Sequence, residues 1–156
     1  NKNSLLQNLQ ENDYIFRTLF FDKPVHSLYD FTVDFIHKNG YDINKLTNNL
    51  KRNRFLDNNN MYTGLAPYNN FHACKLSLWR EPLITKYIQE ILDINGSLMK
   101  YWMDANIHSM IIFILMPLVN KKLSIKTDFG YRHNRHFSIM NSLHFAYNSD
   151  QDFYPK

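Results

Sequence analysis

Between residues 25 and 38 the apolar side chains Leu28, Phe31, Phe35 and Ile36 recur at three- and four-residue spacing, which predicts a helix with one buried face. Asn39-Gly40 closes it, because glycine readily takes the left-handed conformation that ends helices. Leu83, Tyr87, Ile91 and Ile94 predict a second helix over about residues 79–94. Ser77 is its candidate cap, and Glu81 and Pro82 suit its first turns. A third helix is expected from Asp104, with Ile107, Met110, Ile111 and Ile114 on one face and His108 and Ser109 flanking it. Asp104 is the expected N-cap, and Pro117 ends or kinks this helix. Residues 4–11 and 44–52 read as shorter helices.

Strands are predicted over 14–21, 71–78 and 123–127, where aromatic, β-branched or alternating apolar residues cluster. Asp22-Lys23-Pro24 breaks the first, and Asp57-Asn58-Asn59-Asn60 is a turn. Residues 62–70, with Gly64 and Pro67, read as a long irregular connection, and 97–102 as a short extended one. Strands and helices alternate, so the expected class is α/β, one sheet with helices packed on it.

Composition narrows this little. The 156 residues suffice for one domain or half of a larger one. At 44% hydrophobic and 15% aromatic the chain has the makings of a core. The net charge of +4 comes from scattered cations, with Lys51-Arg52-Asn53-Arg54 the only tight cluster and Arg132 and Arg135 a looser pair. That pattern lacks the basic stripe of a nucleic-acid binder and suits a small anionic substrate such as a sugar nucleotide. The apolar run 110–119 is half the roughly twenty residues a membrane span requires, so it is core. Cys74 is the sole cysteine, which excludes an intrachain disulfide and leans toward a reducing, cytoplasmic setting. Asn95-Gly96-Ser97 has the spelling of a glycosylation acceptor but reads as a helix end.

Candidate chemistry gathers at a few positions. Asp104 is either a helix-starting cap or a carboxylate aimed into a cleft. His72 and Lys75 could line a cleft, His72 being otherwise a partly buried, hydrogen-bonded histidine. His133 and His136 have a spacing that can share a metal, although His133 by itself reads as a loop residue. No nucleophile elbow, P-loop or dinucleotide fingerprint occurs, and Asp150-Gln151-Asp152 reads as a solvated part of the tail.

Three blocks in one order carry more weight. The segment Asn70-Phe71-His72-Ala73-Cys74-Lys75-Leu76-Ser77-Leu78-Trp79-Arg80, continued by Thr85-Lys86-Tyr87, resembles the N-F-E-I-A-D-L-x-F-W-R and T-K-Y segments of the fungal α-1,2-mannosyltransferases. Trp102-Met103-Asp104-Ala105-Asn106-Ile107-His108-Ser109 resembles their W-G-D-A-P-V-H-S, and Asp128-Phe129-Gly130-Tyr131-Arg132-His133 their D-I-G-Y-Y-H. Upstream, Val25-His26-Ser27-Leu28 stands where the family has I-P-x-L. The resemblance implies a GT-A type α/β fold and transfer of mannose from GDP-mannose, with retention and with Mn²⁺. By position it makes His133 the metal ligand and Asp104 the active-site carboxylate holding donor sugar or acceptor. His72 would sit near the anomeric carbon, and Trp102, Tyr131 and His108 would bind substrate, Trp102 being equally suited to the core.

The departures bear on activity. His72 replaces the family's glutamate, proposed as nucleophile or as stabiliser of the oxocarbenium-like state, and an imidazole cannot supply the same negative charge. Lys75 replaces an aspartate, Lys100 a glutamate, Met103 a glycine and Asn106 a proline. The family's nucleotide-binding half, with its acidic motif, would precede the region seen here. Residues 1–137 are therefore expected to be the acceptor-side half of a transferase, with 138–156 an irregular tail. Partners would be a nucleotide sugar, a glycan or glycoprotein acceptor and that other half, in the Golgi lumen by resemblance. The alternative is a transferase-derived carbohydrate-binding or assembly module without activity.

Overall fold

In the computed structural model, which describes residues 5–68 and 71–125, the chain enters through a short helix, α1 (Leu5–Glu11), and crosses into strand β1 (Tyr14–Phe16). All three β1 residues are buried, so this strand is enclosed on both faces. The expected strand over 14–21 does not continue straight. It breaks at Arg17-Thr18 and resumes as β2 (Leu19–Phe21), which belongs to a different sheet. A continuous apolar run records burial but not a bend, because both halves are hydrophobic.

Helix α2 (His26–Lys38) follows, with Leu28, Thr32, Phe35 and Ile36 buried, and Gly40 takes φ +83° just past its end. Helix α3 (Asn44–Arg52) buries Leu46 and Leu50. The turn at Asp57 is held by its own carboxylate, which accepts the N–H of Asn59 at 2.8 Å and of Met61 at 2.9 Å.

Residues expected to be irregular contain a strand, β3 (Leu65–Pro67), paired antiparallel with β2. Pro67 has no N–H to donate and lies opposite Leu19 at the end of a two-stranded sheet, where that lack is tolerated. Strand β4 (His72–Cys74) is shorter than expected and runs into a one-turn helix, α4 (Leu76–Trp79). Ser77 therefore lies inside α4. The next helix, α5 (Pro82–Asp93), starts after Glu81, with proline in its first turn. It buries Leu83, Ile84, Tyr87 and Ile91, while Ile94 lies outside it and is exposed. Asn95, in the left-handed conformation, leads into another single turn, α6 (Gly96–Met99), where an extended segment was expected.

Helix α7 (Asp104–Met110) runs on through a π-helical turn over Ile111–Leu115 into α8 (Met116–Leu118). Pro117 has no N–H for the carbonyl four residues back, and the wider π turn just before it makes room for its ring. Strand β5 (Leu123–Ile125) closes the described chain.

The expectation of one sheet thus gives way to two small ones. The first has the order β4-β1-β5, with β4 antiparallel and β5 parallel to the central β1; the second is β2-β3. Helix α7 lies across β3 and against α2. A buried polar network fixes that crossing. Ser109 donates its hydroxyl to the Leu65 carbonyl at 2.6 Å, and the Tyr62 phenol donates to Asn106 Oδ1 at 2.9 Å. Among the described residues every buried side-chain polar atom has a partner, and no helix is long and apolar enough to cross a membrane.

Candidate functional site

The antiparallel register places Tyr14 opposite Cys74 and Phe16 opposite His72, so Tyr14 and His72 stand diagonally on one face. Their rings stack with centroids 5.3 Å apart and planes only 4° from parallel. Helix α7 brings His108 down onto this pair. The His108 ring centre is 5.4 Å from that of His72 and 5.3 Å from that of Trp79. Trp79 donates its indole N–H to Cys74 Sγ at 3.0 Å, which closes the floor of the cluster.

The Tyr14 hydroxyl lies 3.1 Å from His108 Nδ1. A buried phenol O–H needs an acceptor, and this nitrogen supplies it, so the imidazole carries its proton on Nε2. Burial holds the Tyr14 phenol well above its ordinary value, which keeps it a donor. Burial also pushes the His108 pKa down to about 4; the neighbouring His72 adds to the effect and the Asp104 carboxylate opposes it.

A depressed histidine has a consequence for stability. Between pH 4 and 6.5 the unfolded chain binds a proton at His108 that the folded chain does not. Stability from this group is therefore complete above the unfolded pKa and falls as the solution is acidified. The loss should reach roughly 2 kcal/mol at pH 5 relative to pH 7. Urea unfolding at the two pH values checks this, with His108→Gln expected to flatten the difference by that amount.

Asp104 starts α7, and the cap position falls on Met103, so the expectation of an Asp104 cap moves by one residue. The Asp104 carboxylate accepts the N–H of Ala105 at 2.8 Å and is otherwise at the surface. It lies one turn before His108, on the same side of the helix. Asp104, His108 and His72 are thus gathered in one place by a helix start and a strand pairing.

The other sequence candidates part company. Trp102 is 1% exposed, its ring against Phe31 and its indole N–H donated to Ser27 Oγ at 3.0 Å. It belongs to the core and offers no open face to a sugar. Lys75 turns away from His72 to pair with Asp13 at 3.5 Å and to reach the Gln10 carbonyl at 3.2 Å. His133 and Tyr131 lie outside the described residues, as does His136. Among the described residues no three His, Cys, Asp or Glu side chains gather to hold a metal ion. Tyr14 was missed, since its role depends on the register of a remote strand. Cys74 and Trp79 lay within a recognised block, but nothing in the sequence pointed them at His108.

Comparison with known proteins covers the stretch that holds all three sequence blocks. Residues 5–150 match the model of the glycolipid 2-alpha-mannosyltransferase family. Glycolipid 2-alpha-mannosyltransferase 1 of Candida albicans is 28% identical over 113 residues, 72% of this chain and 25% of that protein. Glycolipid 2-alpha-mannosyltransferase 2 of the same organism is 26% identical over 144 residues, 85% of this chain and 29% of that protein. The chain thus spans between a quarter and a third of the length of these relatives. With the match running through the strand of His72, the helix of Asp104 and His108, and on past His133, the chain belongs to the glycolipid 2-alpha-mannosyltransferase family.

Proposed function

We propose that this chain forms the acceptor-side half of a retaining, GT-A type glycosyltransferase that moves a hexose, mannose first, from a nucleotide sugar such as GDP-mannose to a glycan or glycoprotein. The observation that carries the reading is the meeting of Asp104, His108 and His72 above β1. Family membership supports a mannosyltransferase-type glycosyltransferase. The Asp104 carboxylate would accept sugar hydroxyls and so fix the ring. His108, neutral and held by Tyr14, would offer its Nε2 proton to an oxygen at physiological pH. His72 would lie beside the anomeric carbon, where a polarisable ring can face developing positive charge without forming a bond to it.

Mn²⁺ belongs to this proposal through His133. The described residues do not make a cation site by themselves, so further ligands would be oxygens of the diphosphate and of the nucleotide-binding half. When bound, the ion would offset charge on the leaving diphosphate.

A second reading, an inactive module that retains sugar binding, is favoured by one observation. The ring lying flat on Tyr14 at the position of the family's glutamate is an imidazole, His72, and carries no negative charge to the reaction. Calorimetry with GDP and Mn²⁺ on this chain joined to its nucleotide-binding half, followed by mass-spectrometric detection of sugar transfer from GDP-mannose, separates the two. The transferase reading expects heat and turnover, with Asp104→Asn lowering turnover about 100-fold while nucleotide affinity stays within a factor of two. Saccharide binding with neither nucleotide heat nor turnover would establish the module.

A further inference from the structure

Nine large apolar side chains are exposed among the described residues, and six of them, Leu92, Ile94, Leu98, Met99, Tyr101 and Met103, fall between the end of α5 and the start of α7. Leu92, Leu98 and Met99 are 61%, 78% and 75% exposed. Apolar side chains gathered in this way mark a surface that something covers.

Asn95 stands among them. Its N–H donates to the Leu92 carbonyl at 2.9 Å, and its own carbonyl accepts the N–H of Leu98 at 3.1 Å and of Met99 at 2.8 Å. Those bonds hold the three apolar residues around it. The backbone is left-handed here, at φ +51°, which asparagine tolerates. The Asn95 side chain caps nothing and is exposed, as is Ser97 two residues on. Asn95-Gly96-Ser97 is also the only Asn-x-Ser/Thr triplet in the 156 residues. Its reading as a helix end is correct, because α5 stops just before it. A helix end that turns its asparagine to water is equally a place where a sugar chain can stand off the surface. Gly96 is fixed by its contact with Trp102, whereas burial holds neither Asn95 nor Ser97.

We propose that Asn95 is a site of N-linked glycosylation and that the attached oligosaccharide lies over Leu92, Leu98 and Met99. The chain is here the acceptor of a sugar transfer made by a different enzyme, which recognises the hydroxyl of Ser97 together with the asparagine amide. The Asn95 amide nitrogen bonds to the anomeric carbon of an oligosaccharide carried on a polyprenyl diphosphate. The bond from that carbon to the diphosphate oxygen breaks and the diphosphate leaves with the electron pair. The amide gives up one of its two protons to a base of the transferring enzyme. In the folded protein the C–H faces of the glycan meet the apolar side chains, and its hydroxyls meet water. The inference rests on the glycosyltransferase reading only for the lumenal setting which that resemblance implies. It needs neither His72, Asp104 nor His108.

The test uses the full-length protein purified from the cells that make it, with the peptide that holds Asn95 mapped by mass spectrometry before and after treatment with peptide-N-glycosidase. The expected result is a glycosylated peptide that the enzyme converts to one with aspartate in place of Asn95. Asn95→Gln and Ser97→Ala should each remove the mass of one glycan from the protein, and Ser97→Thr should keep it. Ser97→Ala leaves the left-handed asparagine in place, so it should fold as the parent does and bind a hydrophobic dye several-fold more strongly. Adding Leu98→Ser and Met99→Ser should remove most of that gain. A bare Asn95 in the parent, or a mass unchanged by Asn95→Gln, would overturn the site. Dye binding unchanged by Ser97→Ala would overturn the cover. Sugar transfer is assayed on the same preparation. An occupied Asn95 without transfer keeps the site and removes the transferase reading, and transfer with a bare Asn95 does the reverse.

Discussion

Gly64→Ala is expected to lower stability by roughly 3 kcal/mol or more, because two penalties coincide at one atom. Gly64 has φ +84°, and a residue with a Cβ gives up about 1–2 kcal/mol to sit there. The added Cβ would also run into the backbone carbonyl oxygen of Asp22, and would lie 3.1 Å from its carbon and 3.2 Å from Pro24 N. Those are main-chain atoms, held where they are because the Asp22 N–H donates to the Gly64 carbonyl at 2.9 Å. No rotamer change can relieve the collision. Either β3 moves off β2 or the Asp22 turn shifts. Thermal unfolding should show a midpoint about 6–12 °C below the parent protein. A midpoint within two degrees of the parent would mean that the β2–β3 pairing does not require this close approach.

That glycine also shows where sequence reading reached its limit. Gly64 and Pro67 are strong breaker signals, and they made residues 62–70 look irregular. Both serve a strand instead: the glycine because two backbones touch there, the proline because it sits at the end of an edge. Helices fared better. The apolar faces of α2 and α5 were legible because a helix writes its buried side into its own sequence at fixed spacing. Strand partners are written nowhere locally. The run 14–21 showed that Tyr14 and Phe20 are both hydrophobic, but not that they serve different sheets.

The candidate site divides the same way. Asp104 and His108 are one helical turn apart, so their common side follows from spacing alone. His72 joins them through pairing of β4 with β1, and the sequence reached it only by its place in a recognised block. Tyr14, which fixes the His108 tautomer, had no such marker. GT-A topology is likewise a matter for the whole catalytic unit, while the described residues establish a mixed α/β arrangement of two small sheets.

Trp102→Ala should cost about 3–5 kcal/mol, as large aromatic truncations in a core do. The indole fills the space between α2 and α6, its centroid 5.0 Å from that of Phe31. It packs so closely on Gly96 that a Cβ there would stand 2.5 Å from its Cε3. Trp102→Phe keeps most of this volume and loses the N–H donated to Ser27, for an expected cost nearer 1–2 kcal/mol. The contrast between the two variants in urea unfolding separates filling from hydrogen bonding. Fluorescence separates a core position from an open one. The chain has two tryptophans, so in a Trp79→Phe background Trp102 is the sole tryptophan, excited at a wavelength that the ten tyrosines do not absorb. A ring buried in this way should emit toward the blue and resist acrylamide quenching. Quenching by acrylamide at the rate of a surface indole would put the ring at an open face and overturn its place in the core.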